Sequence, residues 1–141
     1  MQGIVLASHG ELSKGLLQSS SLFFKDQQQL VNCCLMEGDD VDLFINTLNE
    51  SINKVNTNEG VIVLCDMLFG SPCNCMAKIL GNNQNLNIQV ICGMNLSMLL
   101  QILSTRENKQ VTVEEIIEAG KTGIESLNAL LLQQTEKDEL D

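Results

Sequence analysis

Residues 3–10 of this 141-residue chain read GIVLASHG, and this stretch decides the predicted fold. An unbroken apolar run from Ile4 to Ala7 is followed by Ser8, by His9, which is the only histidine of the chain, and by Gly10. Apolar runs that are rich in Val, Ile and Leu and show no alternation are typical of interior strands in a parallel sheet covered on both faces. The run therefore predicts a buried first strand with polar residues at its carboxyl end.

Further apolar runs of strand length lie at residues 30–36, 60–65 and 87–92. Amphipathic patterns with helical spacing separate and follow them, at residues 11–24, 40–55, 72–81, 96–104 and 112–121. This alternation predicts an α/β fold with an open, mainly parallel, doubly wound sheet and helices on both of its faces.

The C-terminal region is less clearly patterned than the rest of the chain. Residues 123–132 fit either an antiparallel edge strand added to the parallel set or a continuing helix, because a short apolar run does not distinguish the two. Residues 133–141 are polar and acidic, as frayed chain ends often are. We expect a single domain over residues 1–132, followed by an acidic polar tail over residues 133–141.

The composition restricts the classes of partner. Eighteen acidic residues against eight basic ones give a net charge of −10, and the chain has no Trp or Tyr. Nucleic-acid binding needs basic residues and aromatic stacking platforms, so the composition argues against it. The charge suits a basic protein partner, although a merely solvated acidic surface explains it equally well. Because no apolar stretch is long enough for a bilayer and no basic leader opens the sequence, we expect a cytoplasmic protein.

The six cysteines suggest free thiols rather than a metal site. Four of them lie in apolar, strand-like runs, where free cysteine behaves as a small buried hydrophobe. There is no Cys-x-x-Cys pair, and the spacing of Cys73 and Cys75 is a weak match to zinc ligation. We therefore predict no metal ligands, and no disulfides in a chain without a secretory signal.

Polar residues follow the predicted strands where a sheet of this class binds ligands, at the carboxyl ends. His9 follows the first strand, and the segment from Asp66 to Asn74 follows the third. If they converge, a carboxylate bonded to one imidazole nitrogen fixes the tautomer and leaves the other nitrogen as a nucleophile. Ser71 and the amides of the turn before the next helix can hold the oxygens of a transferring phosphoryl group.

Each of these residues also has a structural interpretation. Asp66 and Ser71 are residue types that cap helices, and glycines such as Gly10 and Gly70 are common in turns. A lone histidine often makes only one backbone hydrogen bond. The functional interpretation depends on their joint placement at one sheet edge.

Three segments taken together resemble a known family. They are GIVLASHG at residues 3–10, DMLFGSPCN at residues 66–74 and GMNLSMLL at residues 93–100. In this order and spacing they are similar to the enzyme IIA component of the mannose family of the bacterial sugar phosphotransferase system, over about residues 1–130.

The resemblance implies a function for the predicted site. It implies that His9 accepts a phosphoryl group from the phosphocarrier protein HPr and passes it to a IIB component, while membrane IIC and IID components import the sugar. It implies a homodimer without a cofactor, in which Asp66 orients His9 and Ser71 stabilises the phosphate. Further phosphate-binding or partner-binding residues would be Gly10, Phe69, Gly70, Asn74 and Asn95.

Some positions depart from the family pattern. Phe69 stands where the family usually has the first of two glycines, Cys73 where an aromatic residue is common, and Ser97 where proline is common. Phe69 can narrow the site or add apolar surface for a partner. The alternative function is a non-catalytic regulatory or binding module with the same fold.

Overall fold

The computed structural model describes residues 1–82 and 87–140, and its central element is a parallel sheet. In these described residues the sheet has four strands, in the order β2-β1-β3-β4. They are β1 (Gly3–His9), β2 (Leu30–Leu35), β3 (Val61–Cys65) and β4 (Ile88–Cys92). The predicted open, parallel α/β sheet is confirmed, and each strand lies within one or two residues of its predicted limits.

Within residues 1–82 and 87–140, six helices accompany the sheet. They are α1 (Leu12–Ser20), α2 (Val41–Val55), α3 (Ser71–Asn82), α4 (Leu96–Thr105), α5 (Val113–Thr122) and α6 (Leu127–Leu140). Local capping explains several boundaries: the Asp40 side chain accepts the first free amides of α2, and Thr112 forms a capping box with Glu115 at the start of α5. Helix α3 begins at Ser71, one residue earlier than predicted, so Ser71 is its first residue rather than its N-cap.

Helices cover both faces of the sheet, as the continuous apolar strands predict. On one face, alternate residues of β1 and β3 pack against Phe44, Leu48, Ile52 and Val55 of α2 and against Cys75, Met76 and Ile79 of α3. On the other face, the intervening strand residues pack against α1, α4 and α5, including Leu99, Ile102 and Ile116. Both central strands are therefore buried on both sides, and of their residues only His9, at the end of β1, is exposed.

The strand order determines where the site lies. The chain passes from β1 to β2 on one side, then crosses to β3 on the other side of β1. A sheet of this type has its ligand crevice at the carboxyl ends of the two strands where the direction reverses, here β1 and β3. Ala7 pairs with Cys65, the last residue of β3, and the Asp66 amide donates to the Ala7 carbonyl. The end of β1 and the first residue after β3 are thereby adjacent.

The antiparallel edge strand considered for residues 123–132 is wrong. This region contains the start of α6, and no strand in residues 1–82 and 87–140 pairs with the outer edge of β4. The helix begins just after Ser126, whose hydroxyl accepts the Ala129 amide as a helix cap does.

Helix α6 runs through most of the predicted tail, and all of its residues are exposed. Asp141, the last residue of that tail, and residues 83–86 lie outside the described residues. Within the described ranges, no helix combines the length and the apolar character needed to cross a membrane.

Candidate functional site

His9 and Asp66 form a direct pair at the carboxyl edge of the sheet. Nδ1 of His9 lies 2.8 Å from Oδ2 of Asp66, and the backbone amide of His9 donates to the same oxygen at 2.9 Å. The Met67 amide donates to Oδ1 at 3.0 Å, so both carboxylate oxygens are engaged. Because a carboxylate only accepts hydrogen bonds, Nδ1 carries the ring proton and Nε2 carries the lone pair.

His9 and Asp66 differ in how far their side chains are exposed to solvent. The Asp66 side chain is 10% exposed, whereas the His9 side chain is 45% exposed. Nε2 accepts no hydrogen bond from any residue in the described ranges. The sheet edge therefore presents a half-exposed imidazole that is held through Nδ1 and whose Nε2 is unbonded.

Gly70 lies against the imidazole and brings the start of α3 beside it. A β-carbon at position 70 would lie 2.6 Å from Cε1 of His9 and 3.3 Å from Nε2, closer than side chains normally approach. Only glycine leaves the ring in its observed place. Position 70 thus sets the spacing between Nε2 and the loop that leads into α3.

The first turn of α3 offers hydrogen-bond donors next to Nε2. The amides of Ser71 and Cys73, and the Ser71 hydroxyl, make no hydrogen bond within residues 1–82 and 87–140, and Pro72 has no amide hydrogen. The free amides of a helix start bind anions, and the helix dipole adds to this. The loop is secured by Asn74, whose amide donates to the Gly70 carbonyl and whose side chain donates to the Phe69 carbonyl. This arrangement can hold the oxygens of a phosphoryl group at Nε2.

Phe69 adopts a backbone conformation that favours glycine. Its φ is +65°, in the left-handed region, and its side chain is 78% exposed. Because a residue with a β-carbon is strained there by about 1 kcal/mol or more, the φ angle explains why glycine suits this position. Met67 and Leu68 beside it are also more than half exposed. Sequence reasoning missed these two side chains, although three large apolar residues between Asp66 and Gly70 are a visible signal of a contact surface.

The remaining predicted site residues are Gly10 and Asn95. Gly10 follows His9 directly with a φ of +57°, and its amide donates to the Leu35 carbonyl. Asn95 caps α4, because its side-chain oxygen accepts the Met98 amide and its nitrogen donates to the Gly120 carbonyl. The Asn95 side chain therefore connects α4 to α5, and the structure does not bring it to His9.

Cys65 and Cys92 lie behind the site rather than in it. Cys65 precedes Asp66 at the end of β3, and it pairs in register with Cys92 of β4. Burial raises the pKa of both thiols, that of Cys92 to about 11, and the neighbouring Cys73 adds to both rises. Both remain neutral at pH 7 and put no negative charge next to Asp66. In the described part of the chain, no cluster of His, Cys, Asp or Glu is arranged to hold a metal ion.

A separate cavity lies at the opposite edge of the sheet. It has a volume of about 300 Å³ and is lined by residues that include Gln2, Glu59 and Arg106. Gln2 precedes β1 and His9 ends it, so the length of a seven-residue strand, roughly 20 Å, separates the cavity from the imidazole. The His9 side chain is instead half-exposed, which makes it accessible to a macromolecular partner.

Comparison with known proteins identifies a family. The family model described as "PTS system fructose IIA component" matches residues 3–120. Over 134 residues, 95% of this chain, the sequence is 28% identical to the PTS system mannose-specific EIIAB component of Escherichia coli (strain K12), of which the chain spans 41%. It is 24% identical over 108 residues to the PTS system fructose-specific EIIA component of Bacillus subtilis (strain 168), with 77% of this chain and 73% of that protein covered.

Solved structures share the fold. The crystal structure of phosphotransferase system component EIIA from Streptococcus agalactiae superimposes with a TM-score of 0.83, at 24% identity, and covers 92% of this chain and 99% of that one. At this identity the likeness concerns the fold alone. The family model, in contrast, covers most of the chain. The chain therefore belongs to the mannose-family enzyme IIA components of the sugar phosphotransferase system.

Proposed function

We propose that this chain is a phosphocarrier in the cytoplasm, in which Nε2 of His9 accepts a phosphoryl group from phospho-HPr and passes it to a IIB component. The single observation that carries the proposal is the 2.8 Å contact between Nδ1 and Asp66, which leaves Nε2 unbonded beside the start of α3. Import and phosphorylation of the sugar by membrane IIC and IID components would follow from the second transfer.

The proposed transfer moves one phosphoryl group between two histidine nitrogens. The lone pair of Nε2 attacks phosphorus, the bond from phosphorus to the donor's histidine nitrogen breaks, and its electron pair returns to the donor. His9 keeps the proton on Nδ1 and becomes a cation, which the adjacent Asp66 carboxylate stabilises. The free amides of Ser71 and Cys73 and the Ser71 hydroxyl would hold the phosphoryl oxygens. Transfer to IIB is the same displacement in reverse and needs no metal or cofactor.

The surroundings of His9 support a protein partner with basic and apolar surface. Acidic residues follow β1 and β2 at this edge, and all of them are exposed: Glu11, Glu37, Asp39, Asp40 and Asp42. The apolar loop, defined as Met67, Leu68 and Phe69, stands beside them. Apolar side chains at the centre of a charged rim are the usual composition of a protein-protein contact. We propose that the apolar loop contacts HPr and IIB while the acidic rim steers their basic residues.

A mass measurement tests the phosphocarrier proposal. The protein is incubated with phosphoenolpyruvate, enzyme I and HPr, and its mass is measured at neutral pH and after acid treatment. We expect one acid-labile addition of about 80 Da, the mass of a phosphoryl group, on the wild-type protein and none on His9→Ala. Absence of the addition from the wild type, or its persistence on His9→Ala, contradicts the proposal; the first outcome favours the non-catalytic module.

Replacement of Phe69 tests the role of the apolar loop. Phe69→Gly relieves the left-handed strain but makes the unfolded chain more flexible, two effects of about 1 kcal/mol that nearly cancel. We therefore expect little change in stability and a higher apparent KM for phospho-HPr, with kcat maintained. Leu22→Gly, which also removes an exposed apolar side chain but lies after α1 at the opposite edge, is the control and should leave KM unchanged. An unchanged KM for Phe69→Gly contradicts the role.

The C-terminal region supports two further proposals. We propose a homodimer, because α6 exposes Leu127, Leu130 and Leu131 to solvent, and an isolated helix of this length is only marginally stable in water. Light scattering tests it, and a mass near 15.5 kDa contradicts it. We also propose that residues 1–132 form the functional domain, so that deletion of residues 133–141 leaves phosphorylation by phospho-HPr intact. A loss of phosphorylation in the folded, shortened chain contradicts this.

A further inference from the structure

Two buried hydroxyls lie directly behind His9 on the other side of β1. Ser8 and Ser13 are both fully buried, and their hydroxyl oxygens are 2.9 Å apart. The Ser13 amide donates to the Ser8 hydroxyl at 2.8 Å, and the Ser8 hydroxyl lies 3.0 Å from the Gly10 carbonyl. Ser8 thus bonds to the residue after His9 and to the first turn of α1.

The pair extends the connection to β2. The Ser13 hydroxyl donates to the Cys33 carbonyl at 3.2 Å and lies 3.3 Å from the Cys34 sulfur. Three elements that meet below the imidazole, β1, α1 and β2, are therefore joined through two side chains. A buried polar group without a hydrogen-bond partner costs free energy. Removal of either hydroxyl therefore leaves the groups that were bonded to it unpaired.

The local structure explains why Ser8 has this role. Side chains alternate along a strand, and Ala7 packs on the face covered by α2 and α3, so Ser8 points to the opposite face, towards α1. Helix α1 has no cap of its own, because the Glu11 side chain at its N-cap position makes no capping hydrogen bond. Ser8 supplies the missing acceptor from five residues upstream.

We propose that Ser8 is a positioning residue for His9. Its hydroxyl, held by Ser13, fixes the turn from His9 to the start of α1 and thereby the direction in which Nε2 points. Asp66 holds the imidazole from one side, and Ser8 holds the backbone that carries it from the other. The consequence for phosphotransfer rests on the phosphocarrier function proposed above, whereas the effect on the imidazole does not.

Two measurements on one set of variants test the proposal. The first is the kcat and the KM for phosphorylation by phospho-HPr. The second is the NMR spectrum of the imidazole in the unphosphorylated protein, in which every imidazole signal belongs to His9 because the chain has no other histidine. The variants are Ser8→Ala, Ser8→Thr, which keeps the hydroxyl, and Ser8→Cys, which replaces it with a weak hydrogen-bonding group. The control is Ser20→Ala, which removes another buried hydroxyl of α1 at its far end, bonded to the Leu17 carbonyl.

We expect Ser8→Ala to lower kcat at least about tenfold with little change in KM, because small displacements of a reacting group are costly. It should shift the His9 imidazole signals, whereas Ser8→Thr should restore both readouts and Ser20→Ala should move neither. Ser8→Cys replaces Ser8→Ala in the comparison if the alanine variant does not fold, and the same changes are expected. Wild-type kcat and imidazole signals in the folded Ser8 variants overturn the proposal, as does an equal effect of Ser20→Ala. If the wild type itself accepts no phosphoryl group, the phosphocarrier function has failed, and the imidazole signals still decide the role of Ser8.

Discussion

We predict that Gly70→Ala changes the geometry of the candidate site and leaves the stability of the fold nearly unchanged. The added β-carbon would lie 2.6 Å from Cε1 of His9 and 2.8 Å from Cγ of Met67. Ordinary contacts between carbon atoms begin near 3.5 Å, so the ring or the loop must move by roughly 1 Å. Gly70 does not have a left-handed φ, so the conflict is one of space and not of backbone conformation.

The cost of this movement should appear in the rate and not in the free energy of unfolding. Both contacting side chains are about half exposed, so they can move outward into solvent at a cost below about 1 kcal/mol, less than overpacking a closed core. Movement of the ring, however, strains the bond from Nδ1 of His9 to Asp66 and displaces Nε2 from the start of α3. A displacement of about 1 Å in a reacting group costs about a hundredfold in rate. We therefore expect phosphorylation of His9 to slow by about two orders of magnitude.

The assay is the initial rate of phosphorylation by phospho-HPr, with urea denaturation of the same samples. Gly15→Ala is the matched control, because Gly15 lies in α1 with nothing within 4 Å of the added carbon. It should keep the wild-type rate and gain about 0.5–1 kcal/mol of stability from the helix propensity of alanine. A wild-type rate for Gly70→Ala would refute the argument, because it would mean that the position of the ring does not limit the transfer.

Three other perturbations have expected outcomes. Asp66→Asn should fold but transfer phosphate more slowly, because an amide cannot stabilise an imidazolium as a carboxylate does; equal initial rates would contradict this. Arg106→Met should lower the free energy of unfolding measured in urea by about 2–4 kcal/mol, because the buried guanidinium donates hydrogen bonds to the carbonyls of Gln2, Gln28 and Gln29. The rate of phosphorylation per folded molecule should stay unchanged. The pKa of Cys92 is raised to about 11, so at pH 7 about one molecule in ten thousand carries the Cys92 thiolate. Alkylation of Cys92 in the folded protein should therefore accelerate about tenfold per pH unit and level off near pH 11. Mass spectrometry of the peptide measures this, and a plateau near pH 9, as in the unfolded chain, would contradict the burial.

Most of the fold was predictable because its strands are buried on both faces. Continuous apolar runs such as residues 3–8 and 60–65 are too short for typical helices and too apolar for half-exposed strands, and Thr112 with Glu115 marks a helix start by a local rule. Residues 123–132 were ambiguous for a physical reason. Their leucines are all exposed in the described chain, so no burial pattern selects strand or helix.

The sequence predicts those parts of the candidate site that depend on residue type and on which residues follow the strands. His9 and Asp66 follow neighbouring strands, so their proximity follows from the topology. Asn95 also follows a strand, but both polar atoms of its side chain are used between α4 and α5, which depends on packing that the sequence does not reveal. The positioning role of Ser8 was not predicted, because the sequence does not show whether a hydroxyl at a strand end faces solvent or a second buried hydroxyl.

Phe69 shows how a departure from a family pattern becomes informative once its conformation is known. The sequence shows only that a large residue replaces glycine, which suggests equally a narrowed site or a contact surface. The left-handed φ and the 78% exposure favour the second, because the side chain buries little surface in return for its strain. Strain without burial in the free protein is best explained if the side chain is buried in a complex. The same reasoning makes the KM of Phe69→Gly, rather than its stability or its kcat, the quantity that decides the role of this residue.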